Sequence, residues 1–358
     1  LLIDPVSALR WFAADAFEYR RHIENLARAL HAFDCTTLLI DDATSGEHQF
    51  HPRGLAHGVL ILSDARQTYG RSRRRLRVEK LRGRPVPGGY HDYDVVTGGV
   101  EVYPRIEISP KARTGFSGPP LLAGRGDFAA LLGGGLPWGS SVLIAGQAGA
   151  GKSSIAMSWA AEAAAQGSRV LYLSFDEGVD SMERRGAALG VDVQGLRASG
   201  RLVLERVEPA ASSPGQMAQR IRRSVEQDGQ RLAMVVIDSL SGCLHATGSR
   251  RYPDLQLHQL VEYLRSFGVI TVLLLTQRGP LDDGEAPADL SYLSDVTVLT
   301  WFFEAKGELH RAVSVVKHRE HPHERTIREL LFEPSGLRLG EPLSGSHGLP
   351  AGVRRYEI

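Results

Sequence analysis

Eight consecutive residues, Gly146-Gln147-Ala148-Gly149-Ala150-Gly151-Lys152-Ser153, have the types and spacing to hold a chain of phosphates. They fit G-x-x-x-x-G-K-[ST], between an expected strand (Ser141–Ala145) and an expected helix (Ser154–Ala165), the setting that a phosphate-binding loop requires. Glycines let the backbone curl until successive N–H groups point into one concavity, which suits an anion. The helix that opens at Ser154 adds its positive N-terminal end to the same place. In this arrangement Lys152 reaches the β- and γ-phosphates and the Ser153 hydroxyl ligates Mg²⁺. The chemistry indicated is that of a nucleoside triphosphate.

Four further groups could act on such a ligand. Asp238 ends an apolar strand, where P-loop proteins place a carboxylate that holds Mg²⁺, usually through water. Asp176 and Glu177 follow another apolar strand, and hydrolysis needs a carboxylate able to polarise a water. Parallel strands bring their C-terminal ends to one edge of the sheet, so this acidic pair is expected at the mouth of the loop. Gln277, after a third strand, could orient the same water. Lys317 and Arg319 sit one residue apart and far along the chain from the loop, like cations that a neighbouring subunit supplies to a transferring phosphoryl group.

Two basic clusters invite other readings. Arg71–Arg84 is dense in arginine, but Arg73, Arg75 and Arg77 alternate as one face of a strand does. The segment lacks the interleaved aromatics on which single-stranded nucleic acid stacks, so an exposed strand at a subunit interface is expected instead. His318, His321 and His323 suggest a metal, yet no cysteine accompanies them and Pro322 interrupts the run, so a polar loop is expected.

These residues need a scaffold, and the chain supplies one and a half copies of it. Leu1-Leu2-Ile3-Asp4 resembles Val235-Val236-Ile237-Asp238, and Val78-Glu79-Lys80-Leu81-Arg82 resembles Val315-Val316-Lys317-His318-Arg319. The offset is 234 at the aspartate and 237 at the lysine. A repeat of that length means duplicated domains, since solenoid periods are ~20–50 residues. The expected division is a partial first copy over residues 1–108, a Gly/Pro/Ser-rich linker over 109–126, a complete copy over 127–340 and an irregular tail over 341–358. Because the first copy opens on its Asp-bearing strand, the half that would carry its own phosphate loop is expected to precede Leu1.

Within the complete copy, strands alternate with helices. Unbroken apolar runs such as Met234–Ile237 mark parallel strands covered on both faces. The fold class is therefore α/β with a mostly parallel central sheet. Segments 297–303, 312–317 and 330–332 are expected to close it as antiparallel strands. With 42% hydrophobic and 23% charged residues and a formal net charge of +1, the 358-residue chain has an ordinary globular composition. The two cysteines, Cys35 and Cys243, cannot form a disulfide framework. No apolar run approaches the ~20 residues of a membrane span, and a cytoplasmic setting is expected.

Taken together, the loop, the acidic pair, the Asp-ending strand and the duplicated Lys-x-Arg resemble the KaiC family of double-domain RecA-like ATPases. The lead-in Gly133-Gly134-Gly135-Leu136-Pro137-Trp138-Gly139-Ser140 and the pair Leu81-Arg82-Gly83 with Gly88-Gly89-Tyr90-His91-Asp92 carry the same resemblance. It implies a RecA-like P-loop domain preceded by the C-terminal part of a second such repeat, and a hexamer with ATP–Mg²⁺ between adjacent subunits. It also implies paired catalytic carboxylates at Asp176 and Glu177, trans-acting Lys317 and Arg319, regulatory protein partners and serine/threonine autokinase activity at Ser291. Tyr292 stands where the family has Thr, and Asp176 where it has Glu. Two rival classes are a RecA-type DNA-dependent ATPase and a nucleotide-gated scaffold with negligible turnover.

Overall fold

The computed structural model describes residues 1–42, 52–65, 72–107, 119–121, 126–226, 231–246, 253–277 and 290–343. Two compact units emerge: Leu1–Ser63 with Arg74–His91, and Asp64–Arg73 with Asp92–Ile358.

In the first unit, β1 (Leu2–Ile3) leads through a 3-10 helix to α1 (Ala16–Ala32) and β2 (Leu38–Leu39). Asp15 caps α1 by accepting from the Glu18 N–H at 2.7 Å, which satisfies one of the orphan donors of the first turn. β1 pairs with β2 in parallel, and Val6, Tyr19 and Ile23 form a small core beside them. β3 (Gly58–Ala65) and β4 (Arg73–Leu81) follow. The alternating arginines are on a strand, but not an exposed one: Arg73 is buried, and Arg75 and Arg77 are half-buried. Lys80 and Arg82 donate to the carbonyls of Arg53 and Gly54, and Arg77 lies over the Tyr90 ring.

The chain continues into the hairpin β5 (His91–Val96) and β6 (Gly99–Tyr103). Then come α2 (Gly126–Leu131), β7 (Ser141–Gly146), α3 (Lys152–Ala165), β8 (Arg169–Ser174), α4 (Val179–Ala188), α5 (Val193–Ala198) and β9 (Leu202–Arg206). They are followed by α6 (Pro214–Glu226), β10 (Leu232–Asp238), α7 (Leu240–Ala246), α8 (Pro253–Ser266), β11 (Ile270–Thr276), β12 (Val296–Ala305), β13 (Glu308–His318), β14 (Arg328–Glu333) and β15 (Gly336–Pro342). One nine-stranded sheet runs in the order β15-β14-β13-β12-β7-β11-β10-β8-β9.

Six neighbouring strands, β12-β7-β11-β10-β8-β9, are mutually parallel, and β13, β14 and β15 add antiparallel pairs at one side. The fold class is α/β with a mostly parallel sheet. The expectation that 297–303 belongs to a purely antiparallel set needs correction: β12 lies parallel to β7, with Val296 opposite Val142 and Thr300 opposite Gly146. An apolar run carries no sign of direction, so only its neighbour reveals it. The sheet also extends to Pro342, and α5 and α7 are short helices without a strong sequence period.

Alternate residues of each central strand serve two cores. Val170, Tyr172, Met234 and Val236 face the layer that contains α3, while Leu171, Leu173, Val235 and Ile237 face the layer of α6 and α8. Burial on both faces is why these strands read as continuous apolar runs. The hairpin β5–β6 docks on α6. The Asp92 carboxylate accepts from the Gly215 N–H at the first turn of α6, at 2.9 Å, and also binds the buried Arg73. Helix α6 thereby gains both an N-terminal donor partner and a favourable negative charge.

Candidate functional site: the phosphate loop and the strand ends

The loop 146–151 leaves β7 at the middle of the sheet, and α3 begins directly at Lys152. Gly151 adopts φ 102, a left-handed conformation that favours glycine, and turns the chain into the helix. A Cβ on Gly146 would lie 2.0 Å from the Thr300 carbonyl oxygen of paired strand β12, so no side chain fits there. The loop is also held from outside. Gln277 N–H donates to the Gly146 carbonyl at 3.0 Å, and Phe302 N–H donates to the Gln147 side-chain oxygen at 3.3 Å. Arg311 Nε donates to the Gly149 carbonyl at 3.0 Å, while its guanidinium lies over the rings of Phe302 and Phe332.

Lys152 is 6% exposed and donates to the carbonyls of Gly146 (2.9 Å) and Gln147 (2.8 Å). Burial pushes its ammonium down to about 8, against the opposing pull of Asp238 and Asp176. A bound phosphate chain favours the charged form, so nucleotide binding above pH 8 takes up a proton. Affinity is therefore expected to fall as pH rises beyond 8, by at most about tenfold per pH unit. Nucleotide titrations between pH 7 and 10, with proton uptake measured in buffers of different ionisation enthalpy, check this. In the unliganded protein the sign is opposite. The unfolded chain binds more protons between about 8 and 10.5, so this group makes the fold more stable as pH rises through that window.

Asp238, at the end of β10, is 7% exposed. Its carboxylate accepts from the Tyr172 hydroxyl at 2.7 Å and hydrogen-bonds Ser153. Burial raises its pKa; the Tyr172 and Ser153 hydrogen bonds and the Arg185 charge oppose that rise. Ser153 and Asp238 thus stand together as hard oxygen donors of the kind Mg²⁺ takes, with the remaining positions left to water and phosphate. Two buried oxygens close to the loop, Gln277 Oε1 and Thr300 Oγ1, have no hydrogen-bond partner. Orphaned polar atoms beside a glycine cradle fit a site shaped for a polar ligand.

The acidic pair divides. Asp176 is exposed and close enough to Lys152 and Asp238 to influence both. Glu177 is engaged: it accepts from Ser181 Oγ at 2.6 Å and forms an ion pair with Arg185, both on α4. The two residues are therefore not interchangeable bases.

The trans-cation candidates lie elsewhere. Lys317 is opposite Thr297 near the end of β13. Arg319 donates to the Asp295 carboxylate (3.4 Å) and to the Tyr292 carbonyl (3.2 Å). Asp295 N–H in turn donates to the Ser141 carbonyl, at the start of β7. Five residues of strand, roughly 16 Å, separate Ser141 from Gly146. The structure thus gathers Lys152, Ser153, Asp176 and Asp238 at one end of the sheet and holds Arg319 at the other. Ser291 falls in a 3-10 helix, Leu290–Leu293, with its side chain outside the described ones. The His318, His321 and His323 rings gather at 5.5 and 6.4 Å, and among the described residues no group of three or more His, Cys, Asp or Glu is placed to hold a metal ion. No helix among the described residues is long and apolar enough to cross a membrane.

Sequence reasoning missed Tyr172, Arg185, Thr300 and Arg311. Each reaches the site from a different element, and none lies in a motif with a spacing of its own.

Comparison with known proteins matches this geometry. A family model described as "ATPase: KaiC" matches twice, over residues 1–107 and 124–344. The chain is similar to the circadian clock protein KaiC3 of Synechocystis, at 22% identity over 99% of this chain and 70% of that protein. It is also 23% identical to the circadian clock oscillator protein KaiC of Parathermosynechococcus lividus, over 98% of this chain and 64% of the relative. The same identity holds for the KaiC of Thermosynechococcus vestitus, where the alignment spans 67% of the relative. The chain thus spans about two thirds of the length of these relatives. With two matches that together cover most of its length, on a fold that puts the phosphate loop and strand-end carboxylate side by side, the chain belongs to the KaiC family of ATPases.

Proposed function

We propose that the protein binds ATP with Mg²⁺ and hydrolyses it, and that it does so as a ring-like homo-oligomer, a hexamer on family grounds, with nucleotide between subunits. The observation that carries the reading is the cluster of Lys152, Ser153, Asp176 and Asp238 at the loop mouth. The backbone N–H groups of 147–153 and Ser154, at the start of α3, face the phosphates. Lys152 gives up its loop carbonyls to reach the β- and γ-oxygens, and Ser153 with Asp238 holds the metal. Bound there, Mg²⁺ would neutralise negative charge on the phosphates. Asp176 accepts the proton of the attacking water, with Gln277 orienting it; Glu177 stays tied to α4. Lys317 and Arg319 act on the nucleotide of the adjacent subunit, a reading favoured by their distance from their own loop. Nucleotide state is then passed to regulatory protein partners in the cytoplasm, with phosphoryl transfer to Ser291 as a further output.

Turnover of ATP by the whole chain tests this, measured with and without Mg²⁺ and with and without single-stranded DNA, followed by intact mass. Mg²⁺-dependent phosphate release that DNA leaves unchanged is expected. Stimulation by DNA, lost steeply as salt rises, would indicate a RecA-type motor. Tight binding without release would indicate a scaffold, and a mass unchanged after ATP would remove the autokinase output.

A further inference from the structure

Tyr172 is fully buried on β8, yet its hydroxyl is not spent on packing. A buried phenol needs a hydrogen-bond partner, and a phenylalanine would fill the same core without that demand. The partner is Asp238 Oδ2, at 2.7 Å. The register explains the contact. Tyr172 lies opposite Val236 and Ser174 opposite Asp238, so Tyr172 and Asp238 are diagonal neighbours on the face of the sheet that carries α3. Ser153, the other oxygen donor, comes from that helix and also bonds Asp238. The charged groups of α4 and of the β8 end, Arg185, Glu177 and Asp176, surround the pair.

We propose that Tyr172 is the positioning residue for the metal-binding carboxylate: its O–H fixes one oxygen of Asp238 and leaves the other available to the Mg²⁺ shell. This inference rests on the ATP–Mg²⁺ reading of the site. Groups that orient a ligating carboxylate are worth about 10–100-fold in metal affinity.

The test is nucleotide binding followed by fluorescence as Mg²⁺ is titrated, for the whole chain and for Tyr172→Phe. The variant should need about 10–100-fold more Mg²⁺ for its half-maximal effect. Its nucleotide affinity in EDTA should match that of the parent, and its metal-free melting temperature should fall by only a few degrees, the cost of one lost buried hydrogen bond. Tyr172→Leu, which also lacks a donor, should shift the Mg²⁺ requirement in the same direction. An unchanged Mg²⁺ requirement in a folded Tyr172→Phe overturns the inference alone. So does an equal loss of affinity with and without Mg²⁺, which would make the tyrosine a support of the loop. Failure of both variants to fold would make it a core hydrogen bond and likewise overturn the proposal. Binding by the parent chain that ignores Mg²⁺ overturns the site reading itself.

Discussion

Lys152→Ala is expected to abolish ATP turnover and to cut nucleotide affinity by at least 10–100-fold while the chain stays folded. Hydrogen bonds to charged groups are worth about 1.5–3 kcal/mol each, and this ammonium would serve two phosphates. The fold survives for reasons visible in the structure. In the unliganded site Lys152 donates to the carbonyls of Gly146 and Gln147, and the Gly146 carbonyl keeps the Gln277 N–H when the lysine goes. Alanine suits the first position of a helix at least as well as lysine. Truncation also removes a charge whose burial already depresses its pKa. Thermal melting should therefore shift by a few degrees at most, while a fluorescent-nucleotide titration loses its signal. Normal turnover in a folded Lys152→Ala protein would end the phosphate-loop assignment.

What the sequence revealed depended on how far apart the interacting residues lie in the chain. The loop is legible because its eight residues are contiguous and its chemistry depends on their order. Asp238 is legible because an apolar run ending on Asp is a local pattern. The division between Asp176 and Glu177 is not: it needs Ser181 and Arg185, one and two turns along α4, and neither has a pattern that marks it. Tyr172 looks like one more apolar residue in a buried strand until the register of β8 on β10 puts its hydroxyl against Asp238. Arg311 reaches Gly149 across 162 residues of sequence, through the pairing of β13 with β12 and β12 with β7. The direction of β12 was hidden for the same reason, since periodicity reports which face is buried and not which way a neighbour runs.

Arg319→Ala is expected to lower turnover by about 10³–10⁵, the range for a cation that stabilises the transferring phosphoryl group, while most nucleotide affinity remains. That corresponds to roughly 4–7 kcal/mol of transition-state stabilisation. The substitution leaves the fold secure. Asp295, which Arg319 holds in the isolated chain, also accepts from Arg265 at 2.7 Å and from the N–H and hydroxyl of Ser141 at 2.9 Å each. The Arg319 side chain is half exposed, so little packing is lost. Arg319 is anchored at the opposite end of the sheet from Gly146, so under the proposed shared site it would serve a neighbour's nucleotide and not its own. Mixing separately inactive Lys152→Ala and Arg319→Ala chains should then regenerate activity. At some interfaces an intact Lys152 on one subunit meets an intact Arg319 from the next. Native mass spectrometry establishes that the two variants have mixed, and phosphate release reports the rescue. If Arg319 worked within its own chain, every subunit would remain defective and mixed assemblies would stay silent; that silence would overturn the shared-site model.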